Sequence, residues 1–454
     1  MINFRQYPNM TECIIPDGIQ LTNTFAGYWF SNMKNLEKCT LHKNIKRMSS
    51  TFNQCSNLAT AVCGNNVEEM FRTYEYCNNL TTAVCGPNVT SMYYAYSGCA
   101  NLKTSVCGPN VTNINSAYMG CTNLTTAVCG PKVTDMSGAY MGCTNLTTAV
   151  CGPKVTDMSG AYHNCTNLTT AVCGPKVTSM TNAYQYCTNL TTAVCGPNVT
   201  NMYQAYYGCA NLTTAACGPN VTDMYGSYYG CANLTTAACG PNVVNMRRAY
   251  ISCIHLTTAV CGNSVTDLGG TYFSCTNLTT AVCGPNVISM IDTYSGCANL
   301  TTAISGPNVV NMQNAYYNCQ NLRTAACGPN VANMRNAYYN CTNLKTAACG
   351  PNVIDMSYTY YNCTNLKTIY LYSNNITNVK YCFCKSNYSS RINIYVTAGS
   401  VTNTTIHCAD SNSVVGYGLN WSTDAANNCT YNTYRNIYIY YVANVEAARI
   451  ANGD

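Results

Sequence analysis

Charge is scarce in this chain. Only 8% of its 454 residues are Asp, Glu, Lys or Arg, and the net charge of +6 contains no basic run. A nucleic-acid partner calls for a clustered Lys/Arg face, so that class is set aside. Histidine is nearly absent, at four scattered positions (His42, His163, His255, His407). No stretch approaches the ~18 consecutive apolar residues of a membrane span. The opening "MINFRQYPNMTECIIPDGIQ" lacks a basic segment followed by an apolar run, so no Sec signal peptide is expected. No Ser/His/Asp set, phosphate loop or recurring carboxylate pair stands out, and acids such as Asp135, Asp157 and Asp223 are few. These absences point away from an enzyme and away from a bound metal or cofactor.

Tyrosine and cysteine fill the space that charge leaves. There are 39 Tyr against 7 Phe, and 34 Cys. The segment "CTNLTTAVCGPKVTDMSGAYMG" (121–142) shows their arrangement, and its first twenty residues recur from Cys143 to Tyr162. Numbered from its first cysteine, the repeat spans 22 residues. Position 1 is Cys in fifteen successive units from Cys55 to Cys363, position 4 is Leu and position 6 is Thr in all fifteen. Position 9 is Cys in thirteen, with Ser305 and Leu371 as exceptions. Gly-Pro usually follows, then Val at position 13, Met at 16 and Tyr at 20 (Tyr74 to Tyr360). A period that never drifts means stacked supersecondary units, a solenoid.

The segment "LTTAVCGPN" fits the leucine-rich-repeat strand pattern. Alternation then turns Ala127 and Cys129 to the core and Thr126 and Val128 outward. Gly-Pro ends the strand. Val133, Met136, Tyr140 and Cys143, spaced three, four and three apart, form the apolar stripe of a short helix or 3₁₀ segment that closes the coil. The expected architecture is an α/β repeat solenoid: a leucine-rich-repeat-like right-handed superhelix with a parallel sheet on one face and about 15 coils of 22 residues. Residues 1–44 read as an N-terminal cap and degenerate first coil, 45–370 as the solenoid, and 371–454 as a β-rich cap or attachment module. In that module "RINIYVTAG" and "YRNIYIYYVANV" alternate like strands, and "CFC" (382–384), Cys408 and Cys429 leave the register.

Two stretches, "NVTSMYYAYSGCANLKT" (88–104) and "KVTDMSGAYMGCTNLTT" (132–148), resemble the BspA-like leucine-rich repeats of bacterial surface proteins, which read roughly V-T-x-(I/M)-x-x-x-F-x-x-C-x-x-L-T-x. The likeness covers about residues 45–370. The chain departs in having Tyr for the usual Phe, Ala and Cys inside the strand, and a uniform 22-residue unit. The resemblance implies adhesion or recognition and carries over no particular partner.

The paired cysteines invite disulfide, metal or nucleophile readings. Yet Cys297 persists where its partner slot holds Ser305, and Cys363 where it holds Leu371. Spacing of C-x₇-C lacks the converging ligands of a metal site, and nothing singles out one thiol with a base. The cysteines read as small buried hydrophobes, compatible with assembly in a reducing cytosol.

Function is then expected on the surface. Tyr93, Tyr94, Tyr203, Tyr207, Tyr225, Tyr229, Tyr317, Tyr339, Tyr358 and Tyr361 occupy positions 17, 18 and 21, flanking the buried stripe. Tyrosine gives large amphipathic contact area at low entropic cost, suited to glycans or proteins; the plainer reading has these rings packing on one another. Lys132, Lys154 and Lys176 replace Asn at position 12 in three adjacent coils and make a short basic stripe. Asn at that position (Asn88, Asn110) is expected to bond neighbouring backbones. The outward Thr and Val of the sheet are a second face; a single Thr rank argues against ice binding. The expected role is a non-enzymatic surface-displayed recognition or adhesion solenoid, foremost a phage virion protein (tail fibre or receptor-binding protein) assembled in the cytosol and contacting host-surface glycan or protein. A bacterial or protist cell-surface adhesin exported without a Sec signal is the alternative. Expected partners include other virion or surface proteins through the C-terminal module, and a second copy of the chain.

Overall fold

Five side chains per repeat fill the interior. Val133, Met136, Tyr140, Cys143 and Leu146 have no measurable exposure, and their equivalents from Val67 to Leu366 are as deeply buried. The computed structural model describes residues 4–21, 23–373, 375–383, 392–397, 422–424, 429–432 and 437–453. It is a parallel-sheet β-solenoid of about 16 turns with little helix. The chain divides into two compact units, Met1–Ala232 and Asn233–Asp454.

In the first unit, β1 (Glu12–Ile14) and β2 (Lys38–Thr40) pair in parallel. The later coils meet through single parallel bridges such as Thr104↔Thr126↔Thr148 on one side and Asn113↔Asp135↔Asp157 on another. In the second unit, β3 (Thr302–Ile304), β4 (Thr324–Ala326), β5 (Thr346–Cys349) and β6 (Thr368–Leu371) continue into β7 (Ile392–Thr397). The sheet order then runs β7-β10-β9-β8, with β8 (Ser422–Asp424), β9 (Cys429–Asn432) and β10 (Ile437–Val442). Both strands anticipated in the C-terminal segment are present, and they pair with each other in parallel. Cys384 and Cys408 lie outside the described residues.

The anticipated helical closure is absent; turns take its place. Positions 18 and 22 adopt the left-handed region, as at Tyr94 (φ 55), Gln204 (φ 51), Gly142 (φ 74) and Asn340 (φ 60). Two such residues in every coil break any α-helical run. Backbone groups go to the next coil instead: the N–H groups of Met92, Tyr94, Tyr96 and Gly98 donate to the carbonyls of Asn113, Asn115, Ala117 and Met119 at 2.6–3.1 Å. The apolar spacing of three, four and three was real, but it arises from turns whose hydrogen bonds run along the solenoid. Gly and Asn recur at position 22 because they tolerate positive φ best.

Position 20 is Tyr for a reason outside the stripe. Its ring crosses the coil, and its hydroxyl meets the strand backbone twelve residues earlier. Tyr96 donates to the carbonyl of Val84 at 2.6 Å and accepts from the Val84 N–H at 3.0 Å. Tyr140 donates to Val128 at 2.9 Å and Tyr206 to Val194 at 2.9 Å. These backbone groups lie between sparse bridges and would otherwise be orphaned. Exceptions occur beside paired strands, though Tyr316 still donates to the Ile304 carbonyl of β3 at 3.3 Å. Phe52 stands opposite Thr40 of β2, whose carbonyl already accepts from Ile15 N–H at 2.9 Å. Tyr338 lies opposite β4, and its hydroxyl is buried without a partner. The rings stack in parallel, with centroids 5.2–5.6 Å apart from Phe30 through Tyr228 in the first unit.

The two cysteine columns differ. At position 1 the thiol donates to the carbonyl of a core aromatic 25 residues earlier: Cys143 to Tyr118, Cys165 to Tyr140, Cys297 to Tyr272 and Cys363 to Tyr338, each 3.1 Å. That explains why Cys297 and Cys363 persist without their fellows. At position 9 the sulfur lies against the glycine of the next coil, so a Cβ on Gly130 would sit 2.6 Å from Cys107 Sγ. Cys107 and Gly130 therefore interlock. Where Ser305 replaces the cysteine, its hydroxyl accepts from the Gly328 N–H. The cysteines from Cys13 to Cys382 are free thiols. Burial pushes the thiols of Cys55 and Cys99 up to about 12, and those of Cys107, Cys129 and Cys151 up to about 11.

The last coil is covered by β7, β10 and a short helix, α1 (Val445–Ala451), capped by Asn444. Tyr370, Tyr395 and Tyr440 stack at 5.3 and 5.1 Å, and Ile394, Val396, Ile439 and Val445 are buried. Asn452 Nδ2 donates to the Tyr370 hydroxyl at 2.9 Å.

Two outcomes are expected. Tyr96→Phe should cost about 1–3 kcal/mol in urea unfolding, because both Val84 backbone groups lose their partner, whereas Tyr338→Phe should be neutral or stabilising. Alkali should unfold the protein abruptly. An unfolded thiol ionises near ~8.5, while the folded coils hold these protons until about 11–12. Stability is therefore complete below the unfolded value and lost as pH rises through the folded one. Each such thiol adds a slope of about 1.4 kcal/mol per pH unit. Near-UV circular dichroism should collapse in one steep step between about pH 9 and pH 11.

Candidate ligand-binding face

Position 15 organises the surface next to the core tyrosines. Its Asn, Asp or Ser accepts the backbone N–H two residues on, an Asx turn. Asn201 holds the N–H of Tyr203 at 2.8 Å, Asp223 that of Tyr225 at 2.9 Å, and Asp135 both the N–H and hydroxyl of Ser137. The carboxylates that looked scattered are thus turn-forming residues at one repeat position. A column-wise reading of the sequence shows it, since nearly every unit carries Asn, Asp or Ser there. The Asx turn aims position 17 outward, and the left-handed residues at 18 and 22 expose position 21 between them.

All of the nominated tyrosines are half-buried. The structure gathers them into three groups. In the first unit, Tyr93 stacks on Phe71 at 5.5 Å and meets Tyr94 edge-on at 4.6 Å, while the Arg72 guanidinium lies 5.1 Å from the Tyr94 ring. Further along, Tyr203 stacks on Tyr225 at 5.1 Å and Tyr207 on Tyr229 at 4.5 Å, with Tyr186 edge-on to Tyr207. In the second unit, Tyr317, Tyr339 and Tyr361 form a column at 4.7 and 4.6 Å, and Tyr358 leans on Tyr361. Much of each ring face is spent on its neighbour; edges and the ends of columns remain. Burial raises the phenols of Tyr207 and Tyr339, reinforced by adjacent hydroxyls, so they stay neutral donors.

Lys132, Lys154 and Lys176 are exposed in three successive coils. Lys132 donates to Asn110 Oδ1 at 2.7 Å, and no ion pair involves the three among the described residues. They stand on a different edge from the tyrosines. The Asn column at position 12 donates to the preceding coil, as Asn110 to Pro87 O and Asn220 to Pro197 O, both 2.9 Å. On the sheet face Thr126 and Val128 are exposed and Ala127 is buried, as alternation requires, while Cys129 is half-buried over the next glycine.

Two clefts lie in the second unit. A groove of about 640 Å³ runs along Ser264, Thr266, Asn286, Ile288, Asn308, Val310 and Asn330. Its amides are already committed, Asn308 to Pro285 O and Asn330 to Pro307 O. The other, about 390 Å³, is bounded by Phe273 and Tyr317 with Asp292, Ser295 and Asn314 among its lining. Phe273, Asp292 and Ser295 escaped the sequence reading, although position 21 read as a column (Ile251, Phe273, Ser295, Tyr317, Tyr339, Tyr361) marks the gap. Among the described residues no three His, Cys, Asp or Glu side chains are grouped to hold a metal, and no helix is long and apolar enough to cross a membrane. Thiols such as Cys107, Cys129 and Cys151, raised by burial, are protonated near neutrality and unsuited to nucleophilic attack, while the Cys13 thiol is lowered by its hydrogen bond with Cys39.

The chain is similar to a leucine-rich repeat protein from Bacteroides ovatus, at 14% identity over 87% of this chain and 90% of that one, with a TM-score of 0.38. A leucine-rich cell surface protein from Faecalibacterium prausnitzii is similar at 18% identity over 75% and 88%, with a TM-score of 0.37. No curated protein matches the sequence. The family model for the BspA type leucine-rich repeat region matches residues 3–125, 116–230, 203–323 and 291–408. With most of its length matched and the same Val, Met, aromatic, Cys and Leu columns in its core, the chain belongs to the BspA-type leucine-rich repeat family.

Proposed function

We propose that this chain is a non-enzymatic recognition and adhesion solenoid that contacts host-surface glycan or protein through its tyrosine groups. The observation that supports it is the placing of half-buried aromatic stacks at positions 17, 18 and 21, outside a core that needs none of them. Stacked rings with neutral hydroxyls at their edges offer rigid amphipathic contact at little entropic cost. Repetition multiplies weak contacts into avidity. The lysine row is a secondary contact for anionic groups.

The setting proposed is the exterior of a virion, as a tail fibre or receptor-binding protein. A chain with free thiols throughout its core folds in a reducing cytosol, and lysis would release it. The C-terminal module would join it to other virion proteins. Display on a cell surface is the alternative, and fractionation separates them: the virion reading requires the chain to co-sediment with particles, and its recovery solely in cell envelopes overturns it.

The recognition reading is tested with the full chain on host cells and on an array of surface glycans. Replacing Tyr207 and Tyr229 together by Ala should weaken binding about tenfold or more, as expected for central aromatic anchors. Removing Lys132, Lys154 and Lys176 should have a smaller effect that vanishes in high salt. Unchanged binding in the tyrosine variant refutes the role given to that stack.

A further inference from the structure

The aromatic column at position 21 of the second unit has one missing ring. Phe273, Tyr317, Tyr339 and Tyr361 carry rings, but Ser295 stands between the first two. The cleft of about 390 Å³ lies at that gap. Neighbouring rings in the column are 4.7 and 4.6 Å apart, so the positions of Phe273 and Tyr317, two coils apart, stand at about twice that spacing, and both residues line the cleft. Phe273 is exposed at 38%. Ser295 is buried at the floor, 5% exposed.

The spacing admits one ring-sized guest. Tyr339 sits between Tyr317 and Tyr361 across the same two-coil span, so the gap is deep enough for one aromatic ring. A pyranose chair is thicker, because its carbons lie in two layers and carry axial hydrogens, and needs roughly 9 Å at the same contact distances. Two coil repeats, about 9.6 Å, also accommodate the chair. The polar lining is what favours the sugar over an aromatic guest. Asn314 Nδ2 donates to Asp292 Oδ1 at 2.8 Å, and Asn336 Nδ2 donates to Asn314 Oδ1 at 3.0 Å. This chain of amides orients the Asp292 carboxylate and leaves its second oxygen to accept from sugar hydroxyls. Asp292 itself sits in the left-handed region (φ 56), where its side chain is held beside the gap. The carboxylate also sets a sign: it disfavours uronates and sialic acids, whose charge it would repel.

We propose that the slot between Phe273 and Tyr317 binds one neutral pyranose residue of a glycan, with the two rings on its faces and Asp292 on its hydroxyls. This rests on the recognition reading above and names its substrate class and site.

The test fills the slot. The full chain is titrated with maltotetraose, cellotetraose and a mannotetraose by calorimetry and saturation-transfer NMR, with tetragalacturonate as the charged comparison. At least one neutral oligosaccharide should bind, and tetragalacturonate at least about tenfold more weakly. Ser295→Tyr completes the column and should abolish or weaken that binding at least tenfold while leaving Tm unchanged or raised. Asp292→Asn keeps a residue tolerant of positive φ and should weaken neutral binding several-fold and narrow the gap to tetragalacturonate. Unaltered affinity in both variants overturns the slot while leaving recognition by the first unit's stacks intact. Absence of any saccharide binding alongside retained adhesion to host cells overturns the slot and favours a protein ligand. Absence of both overturns the recognition reading with it.

Discussion

The tyrosine hydroxyl on the strand backbone is the interaction on which the coil depends. Through most of the repeats the strand segments are so short that neighbouring coils touch there through single bridges. Val84, Val106 and Val128 therefore have carbonyls, and some of them N–H groups, with no neighbour to bond. A phenol reaching across the coil supplies what a continuous ladder would have supplied. The same ring stacks on its neighbours and fills the interior, so one residue gives cross-coil volume, stacking along the solenoid and backbone satisfaction. Small strand residues, Ala and Cys, follow from this: larger aliphatics would leave no path for the hydroxyl. The departures from the usual family pattern are thus one coupled change.

Much of this was legible in the sequence. The 22-residue period, the buried identity of Val, Met, Tyr, Cys and Leu, the outward Thr and Val, and the Asn column needed only alternation and spacing. The helical closure was a misreading, because a spacing of three and four is shared by helices and by successive tight turns. The signal that separates them was the recurrence of Gly, Asn and Ser at positions 18 and 22, where a helix would favour none of them. The hydroxyl's partner was invisible because it lies in backbone, which no residue type reports. The thiol-to-carbonyl bond at position 1 was hidden for the same reason, and its uniformity could only suggest packing.

The surface was legible as composition and less so as arrangement. Tyr203 with Tyr225, Tyr207 with Tyr229, and Tyr317 with Tyr339 are 22 residues apart, so their stacking followed from the period. Asp292 and Ser295 are unremarkable when read along the chain; only the register makes them the floor of a gap. The lysines at 132, 154 and 176 share a column yet lie on another edge from the tyrosines, so the candidate residues form separate surfaces and not one site.

The interlock of each position-9 sulfur with the glycine one coil onward has a consequence for how such a chain changes over time. Cys107 fits Gly130 only when 23 residues separate them, and within the uniform repeats the other columns keep their own offsets. An insertion of a few residues there would misalign these columns together. Within the array growth and loss therefore proceed by whole coils, as the copied stretch at 121–140 and 143–162 illustrates. Adding a coil shifts everything beyond it by one strand spacing and leaves each local surface intact. The molecule is in this sense a ruler with movable marks, its distances between contact groups adjustable only in integral steps.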